Sequence, residues 1–510
     1  MLTMMQNAGT EIVLADEDAT RRLAADLSPA IGPGDLVALS GDLGAGKTAF
    51  ARALIRHLAG EESIEVPSPT FTLVQTYDLP QFPLVHLDLY RLGHEDELLE
   101  LGIDELFAGA VTLVEWPDRG GSQLPTPRMS IHFAMAPELG PQYRRVTLDI
   151  APPVPENIAK LLTFQRFLSE AGFGSAERVR LQGDASTRIY DRLVDGERSA
   201  ILMIAPRRPD GPIVRDGKPY SQIAHLAEDV TPFVAMARGL RERGLAAPEI
   251  MAADLDAGLL VLEDFGNEPV VSGNPPSPID ERYATAIDAL VSLHAHDLPG
   301  TLPVAPGVQH RIPRYDIDAM MIEVELLLDW YLPQQSKQAT DEQREEYVAL
   351  WREALEPAMN APATWVLRDF HSPNLMWREE RQGLDRLGIL DFQDALLGPA
   401  AYDVVSLLQD ARVDVPLSLE DTLISRYMKG RRASDREFDL VQFVELYALM
   451  GAQRATKIVG IFARLDKRDG KPQYLRHQPR VWRNMRRSLA HPSLAKLKAW
   501  YDENVPPLKA

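Results

Sequence analysis

The segment Gly41-Asp42-Leu43-Gly44-Ala45-Gly46-Lys47-Thr48 fits G-x-x-x-x-G-K-[ST] at every fixed position, and it limits the possible folds more than any other stretch. Its glycines let successive backbone N–H groups turn inward around phosphate oxygens, which requires a strand entering the loop and a helix leaving it. The flanks comply. Residues 36–40 are an apolar run that reads as a buried strand, and residues 48–58 have helical periodicity. That helix would begin at the loop and aim the positive end of its dipole at the anion. Residues 84–87 and 112–114 read as further strands. Such alternation predicts an α/β domain with a largely parallel sheet.

A loop of this kind that turns over ATP needs further acidic groups for metal or water. Asp88 ends the run 84–87 in the Walker B manner, and Glu115 ends 112–114 in the same way. Asp88 and Glu115 are therefore expected to serve Mg²⁺ and water. Lys47 is expected to neutralise the β- and γ-phosphates, and the Thr48 hydroxyl to ligate Mg²⁺. The expected ATP contacts are Gly41, Asp42, Leu43, Gly44, Ala45, Gly46, Lys47, Thr48 and Ala49. His86 reads as a core or edge histidine.

A second constellation lies far downstream. Trp365-Val366-Leu367-Arg368-Asp369-Phe370-His371-Ser372-Pro373-Asn374-Leu375 precedes Ile389-Leu390-Asp391-Phe392. An Asp, an Asn five residues later and an Asp at a strand end form the phosphotransferase arrangement of kinase-like folds. Asp369 is expected to accept the proton of the attacking hydroxyl, and Asn374 and Asp391 to hold Mg²⁺. Gly183-Asp184-Ala185-Ser186-Thr187-Arg188 lies between two strand-like runs and suits a phosphate-covering loop, with Gly183, Asp184, Ala185, Ser186 and Arg188 at the ATP. Residues 259–266, including Glu263, read as the strand that joins two lobes and flanks the adenine. His294 and His296 read as structural.

Between the two sites, Ala151-Pro152-Pro153-Val154-Pro155 forbids helix continuation and favours extended chain. The reading is multidomain: an α/β P-loop domain over 1–152, a Pro-rich linker over 153–158, and a bilobal α+β kinase-like domain over 159–510. The last comprises a small mixed lobe (159–268) with a helical pattern near 221–243, and a mainly helical lobe (280–510) with a strand–loop–strand insertion around 364–395. Residues 269–278 form a Pro/Gly/Ser-rich loop near the lobe boundary. Residues 454–498 are rich in Lys and Arg, which suits a solvated helical surface or, alternatively, a site for an anionic ligand.

Composition narrows the function classes. There is no cysteine, which excludes disulfides, thiolate nucleophiles and Cys-ligated metal centres. The net charge is −20, a poor basis for non-specific nucleic-acid binding. Residues 1–152 are especially acidic, with 10 Lys/Arg against 22 Asp/Glu. No strong direct contact with nucleic acid is expected. No membrane span or export signal is expected either, so a cytoplasmic location is anticipated.

Four segments in order, residues 41–48, Ser68-Pro69-Thr70-Phe71, Asp88-Leu89-Tyr90-Arg91 and Glu115-Trp116-Pro117, resemble the TsaE family over about residues 10–150. These are small bacterial ATPases of the machinery that makes threonylcarbamoyladenosine in tRNA. The resemblance implies ATP and Mg²⁺ at Lys47 and Thr48, a metal-assisting Glu115, Asp88 in the Walker B place and a switch element at 68–71. It also implies Glu17 near the nucleotide, and action through TsaB/TsaD-like protein partners.

The segments 183–188, 262–266, 368–374 and Gly460-Ile461-Phe462-Ala463-Arg464-Leu465 make residues 160–505 resemble the aminoglycoside phosphotransferase-like kinases. The likeness is greater to the AmgK group of anomeric amino-sugar kinases. This implies ATP-dependent phosphorylation of N-acetylmuramate or N-acetylglucosamine in peptidoglycan recycling. Two positions depart from the broader pattern. Leu367-Arg368 replaces the usual His-Gly, and Met203 stands where a phosphate-pairing lysine is expected. The second departure leaves two alternatives: Arg188 or another cation supplies the charge, or this half binds nucleotide without transfer. Separately, the same fold could act on another small hydroxyl compound (choline, homoserine or an aminoglycoside).

Overall fold

A computed structural model describes residues 10–61, 63–95, 97–100, 109–181, 188–207 and 211–506. The chain divides into two compact units, Met1–Leu202 and Met203–Ala510.

The first unit is built on a seven-stranded sheet. Its strands are β1 (Thr10–Leu14), β2 (Leu36–Gly41), β3 (Val74–Asp78), β4 (Pro83–Asp88), β5 (Val111–Glu115), β6 (Met129–Met135) and β7 (Arg144–Ile150). Their order is β1-β7-β6-β2-β5-β4-β3. The central strands β6, β2, β5 and β4 run parallel. The edges are closed by antiparallel pairs of β1 with β7, β7 with β6, and β3 with β4.

The pleat explains why β2, β4 and β5 are largely apolar on both faces, because successive side chains of β2 enter opposite cores. Val37 and Leu39 pack with Leu23 and Leu27 of α1 (Glu17–Leu27) and with Phe50 and Leu54 of α2 (Lys47–Ala59). Leu36 and Ala38 face the other way, toward Val85, Leu87 and Val114. Residues 36–40, 84–87 and 112–114 are thus strands as expected. β6 and β7 were not read from the sequence, because they alternate buried and accessible positions and show no continuous apolar run.

The helix after the prolines spans Glu156–Glu170, with Pro155 at its N-cap. Its Ile158 is buried in the α1/α2 face of the core, and Leu161 and Leu162 pack against the same cluster. Farther on, Glu177–Arg180 pairs antiparallel with Ile189–Asp195. Asp191 is buried there between Arg178 (2.6 Å) and Arg180 (3.0 Å).

The second unit begins with a short strand-rich region and becomes helical. The antiparallel pair Ile250–Asp254 and Leu259–Glu263 is preceded by the helix Thr231–Glu242. A hairpin, Thr301–Ala305 with Val308–Arg311, interrupts the part read as helical. Two further strand pairs, Ala363–Val366 with Leu396–Pro399 and Leu375–Trp377 with Leu387–Ile389, frame the loop that carries Asp369 and Asn374. Among the described residues, no helix is long and apolar enough to cross a membrane.

The helix Leu440–Asp469 is the spine of this unit. Asp439 caps its first turn by accepting from the Val441 and Gln442 amides, and Gly470 ends it at φ 63°. Gly460 lets it approach the 326 backbone: a Cβ at 460 would lie 2.6 Å from the Leu326 carbonyl carbon. Backbone cannot swing aside as a side-chain tip does. Gly460→Ala is therefore expected to destabilise this unit by about 1–3 kcal/mol, read as a lower urea midpoint in the unfolding of the full chain.

Candidate active sites

The phosphate loop leaves β2 at Gly41 and enters α2 at Lys47. Gly41, Gly44 and Gly46 have φ of 127°, 77° and 117°, a region closed to most side chains. A Cβ at Gly41 would overlap the Phe133 carbonyl oxygen. The loop therefore needs glycine for both conformation and space. Gly46, the N-cap of α2, has no side chain to take up the first amides of the helix, which leaves them for an anion.

Lys47 is almost fully buried. Its ammonium donates to the carbonyls of Gly41 and Asp42, each at 2.8 Å, and stands 3.9 Å from the Trp116 ring centroid. Desolvation lowers its pKa, against the opposing charges of Glu115, Asp88 and Asp42.

The carboxylates expected from sequence meet at the C-terminal edge of the sheet, where Asp88 of β4 is in register with Glu115 of β5. Glu115 accepts from Thr48 Oγ1 at 2.9 Å and contacts His86 Nε2 at 3.0 Å with its other oxygen. His86 is fully buried. It is more than a core filler, because it orients the carboxylate that faces Thr48. Asp88 accepts from Ser68 Oγ (2.9 Å), Thr70 Oγ1 (2.6 Å) and the Tyr90 amide (3.0 Å). The 68–71 segment is thereby tied directly to the Walker B position. Glu17 sits in the first turn of α1, exposed and 3.6 Å from Arg21.

In the second unit, the residues named from sequence come together around one loop. Asn374 Nδ2 donates to the Asp369 carbonyl (2.9 Å) and to Asp391 Oδ2 (3.3 Å), while Gln393 Nε2 donates to Asp391 Oδ1 (2.6 Å). One carboxylate and one amide thus converge, a set of hard oxygen ligands suited to a divalent cation that keeps water and phosphate oxygens.

The loop is held in an unusual shape. Arg368 and Asp391 have φ of 66° and 57°, conformations that cost a non-glycine residue about 1–3 kcal/mol. At 368 the surroundings enforce it. The Arg368 guanidinium donates to the Ala224 carbonyl and to buried Glu323. Its backbone N–H donates to Asp403, and its carbonyl accepts from Ser406. An arginine thus occupies the position where glycine is usual, and its side chain anchors the loop.

Asp403, fully buried, accepts from the amides of Leu367 (2.6 Å) and Arg368 (3.0 Å). Burial pushes its carboxyl up to about 7, against the pull of those two N–H groups. Asp403→Asn puts an amide NH₂ where one N–H now donates, leaving that group unsatisfied. The expected cost is about 1–3 kcal/mol, seen as a lower urea midpoint together with weaker phosphotransfer. Nothing local in the sequence marked Asp403, Asp410 or Glu323. Each is a buried acid with a partner 35 or more residues away.

Asp369 opens into a cavity of about 140 Å³ in company with His371, Tyr402, Arg454 and Lys457. Desolvation would raise its pKa, but the charges of His371, Lys457 and Arg454 overcome this and hold it below the ordinary range. Burial drives His371 down to about 4, so its imidazole is neutral at neutral pH. The lasting positive charge beside Asp369 comes from Arg454 and Lys457.

The remaining sequence-named positions are less informative. Gly183, Asp184, Ala185 and Ser186 lie outside the described residues. Arg188 is half-buried ahead of the strand Ile189–Asp195, and Met203 is fully buried. The Glu263 carboxylate is engaged by Arg378 (2.7 Å) and Arg241 (3.4 Å), and its backbone N–H donates to the Glu249 carbonyl (2.9 Å). His294 is buried against the Tyr427 hydroxyl at 2.7 Å and serves structure.

Comparison with known proteins agrees with the geometry. Residues 14–143 match the family described as threonylcarbamoyl adenosine biosynthesis protein TsaE, and residues 177–438 match the phosphotransferase enzyme family. An N-acetylmuramate/N-acetylglucosamine kinase of Caulobacter vibrioides is 38% identical over 353 residues, covering 67% of this chain and 95% of that one. A protein of the same description from Pseudomonas aeruginosa is 34% identical, covering 63% and 87%. A tRNA threonylcarbamoyladenosine biosynthesis protein TsaE of Rickettsia bellii is 39% identical over 131 residues, covering 26% and 90%. The chain belongs to two families at once, TsaE through its N-terminal part and the N-acetylmuramate/N-acetylglucosamine kinases of the phosphotransferase enzyme family through its C-terminal part.

Proposed function

We propose that the chain is a fusion of two ATP-using enzymes. The N-terminal part hydrolyses ATP in support of threonylcarbamoylation of tRNA adenosine 37. The C-terminal part transfers the γ-phosphoryl group of ATP to the anomeric hydroxyl of N-acetylmuramate or N-acetylglucosamine, in cell-wall recycling. The functional boundary is placed at the prolines 152–155, in keeping with the family matches on either side. TsaB/TsaD-like proteins are the partners assigned to the first part, and the cytoplasm is the location assigned to the chain.

The observation that carries the kinase reading is the convergence of Asp369 and Asn374, on one loop, with Asp391 just past the strand Leu387–Ile389. Asp369 takes the proton from the acceptor hydroxyl as its oxygen attacks phosphorus. Asn374 and Asp391 would hold Mg²⁺, which when bound offsets charge on the phosphate oxygens. In the first part, Lys47 draws charge from the β- and γ-phosphates, and Thr48 and Glu115 are the ligands offered to the metal. Asp88 orients water and, through Ser68 and Thr70, couples the 68–71 segment to the nucleotide.

The test is a labelled-ATP assay of the full chain against both sugars, with choline, homoserine and an aminoglycoside alongside. Transfer to an amino sugar is expected. Transfer to choline with neither sugar accepted would defeat the assignment.

A further inference from the structure

The cavity beside Asp369 has a sign that catalysis alone does not require. Arg454, Lys457, Ile458 and Ile461 follow one face of the helix Leu440–Asp469 and line it together. The Arg454 side chain is more than nine-tenths buried, yet its Nε has no hydrogen-bond partner among the described residues. Its closest carboxylate contact is Asp369, 3.9 Å from the guanidinium, beyond hydrogen-bond reach. Lys457 is 2.8 Å from Glu323, but that carboxylate also pairs with Arg368. Arg368 and Lys457 thus share Glu323, and the cavity wall sets three cations, Arg412, Arg454 and Lys457, against two acids, Asp369 and Asp410. A buried guanidinium with an unpartnered N–H is costly unless an acceptor arrives. Cationic acceptors such as choline or an aminoglycoside are disfavoured by this wall.

We propose that Arg454, supported by Lys457, binds the carboxylate of the lactyl ether that distinguishes N-acetylmuramate from N-acetylglucosamine, and so sets the preference between them. This rests on the sugar-kinase reading above. The geometry allows it. A hydroxyl hydrogen-bonded to Asp369 and a carboxylate hydrogen-bonded to Arg454 can lie up to roughly 9 Å apart, and the anomeric and lactyl oxygens of one pyranose ring fall within that reach. The carboxylate would give the guanidinium a charge-assisted acceptor. The neutral sugar would not.

The decisive comparison uses the full chain and three acceptors: N-acetylmuramate, its methyl ester and N-acetylglucosamine. The unsubstituted chain is expected to favour the acid over the ester by about 10- to 100-fold in kcat/KM, mostly through KM. Arg454→Met is expected to erase that preference, and Arg454→Lys to retain part of it. The acid-to-ester ratio is unmoved by a general loss of folding or activity, and its measurement on the unsubstituted chain needs no variant. Equal handling of acid and ester by an active chain overturns this inference alone. So does an undiminished ratio in Arg454→Met, or a rise confined to the KM for ATP, which would place Arg454 at the nucleotide. Phosphorylation of neither sugar overturns the kinase reading and this inference with it.

Discussion

Asp369→Asn is expected to lower sugar phosphorylation by about 10²- to 10⁴-fold, the range supplied by a positioned general base. The effect should fall on kcat, with KM for ATP little changed, because the loop geometry does not depend on the carboxylate. Asn374 bonds to the Asp369 backbone carbonyl, and Asp403 and Ser406 hold the preceding residue through its backbone. The substitution removes the proton acceptor and leaves the scaffold. Sugar-dependent release of ADP measures it. A loss of less than about threefold would mean that Asp369 is not the base. ATP hydrolysis at the N-terminal site should persist in this variant, since Lys47, Thr48, Asp88 and Glu115 complete that site without it.

Lys47→Met is the counterpart for the N-terminal site. It should cut partner-stimulated ATP hydrolysis by about 10²- to 10³-fold, as loss of one preorganised charge-stabilising donor typically does. Lys47 is buried and held over the Trp116 ring, with its ammonium on the Gly41 and Asp42 carbonyls. It is therefore already positioned at the loop mouth before phosphate binds, and little reorganisation is needed. Methionine keeps the length and apolar contact of the stem but offers no charge. Sugar phosphorylation by the same variant should be unaffected. Hydrolysis at the unsubstituted rate would show that the loop does not act through this lysine.

Much of both sites was legible because each depends on short-range spacing. A glycine-rich turn must lie between strand and helix to point its amides inward, so residues 41–48 announce both the loop and its flanks. Asp88 and Glu115 were readable because carboxylates at the ends of apolar runs reach the same sheet edge when those strands are parallel. Asp369, Asn374 and Asp391 were readable from their spacing in the same sense.

What sequence could not supply is the company these residues keep. His86 read as core filler, and only the pairing of β4 with β5 placed its ring against Glu115. Arg368 read as a departure from pattern. It became the anchor of a left-handed loop once Glu323, 45 residues away, was beneath it. The string of Lys and Arg over 454–498 read foremost as solvated surface, yet Arg454 and Lys457 line the cavity beside Asp369 while Lys496 and Lys498 remain exposed. By itself the sequence determined which groups are the candidates for phosphate chemistry, because local backbone geometry and spacing encode that. Tertiary structure decided which charges are left unpaired beside them, because burial and long-range pairing depend on neighbours that no local pattern specifies.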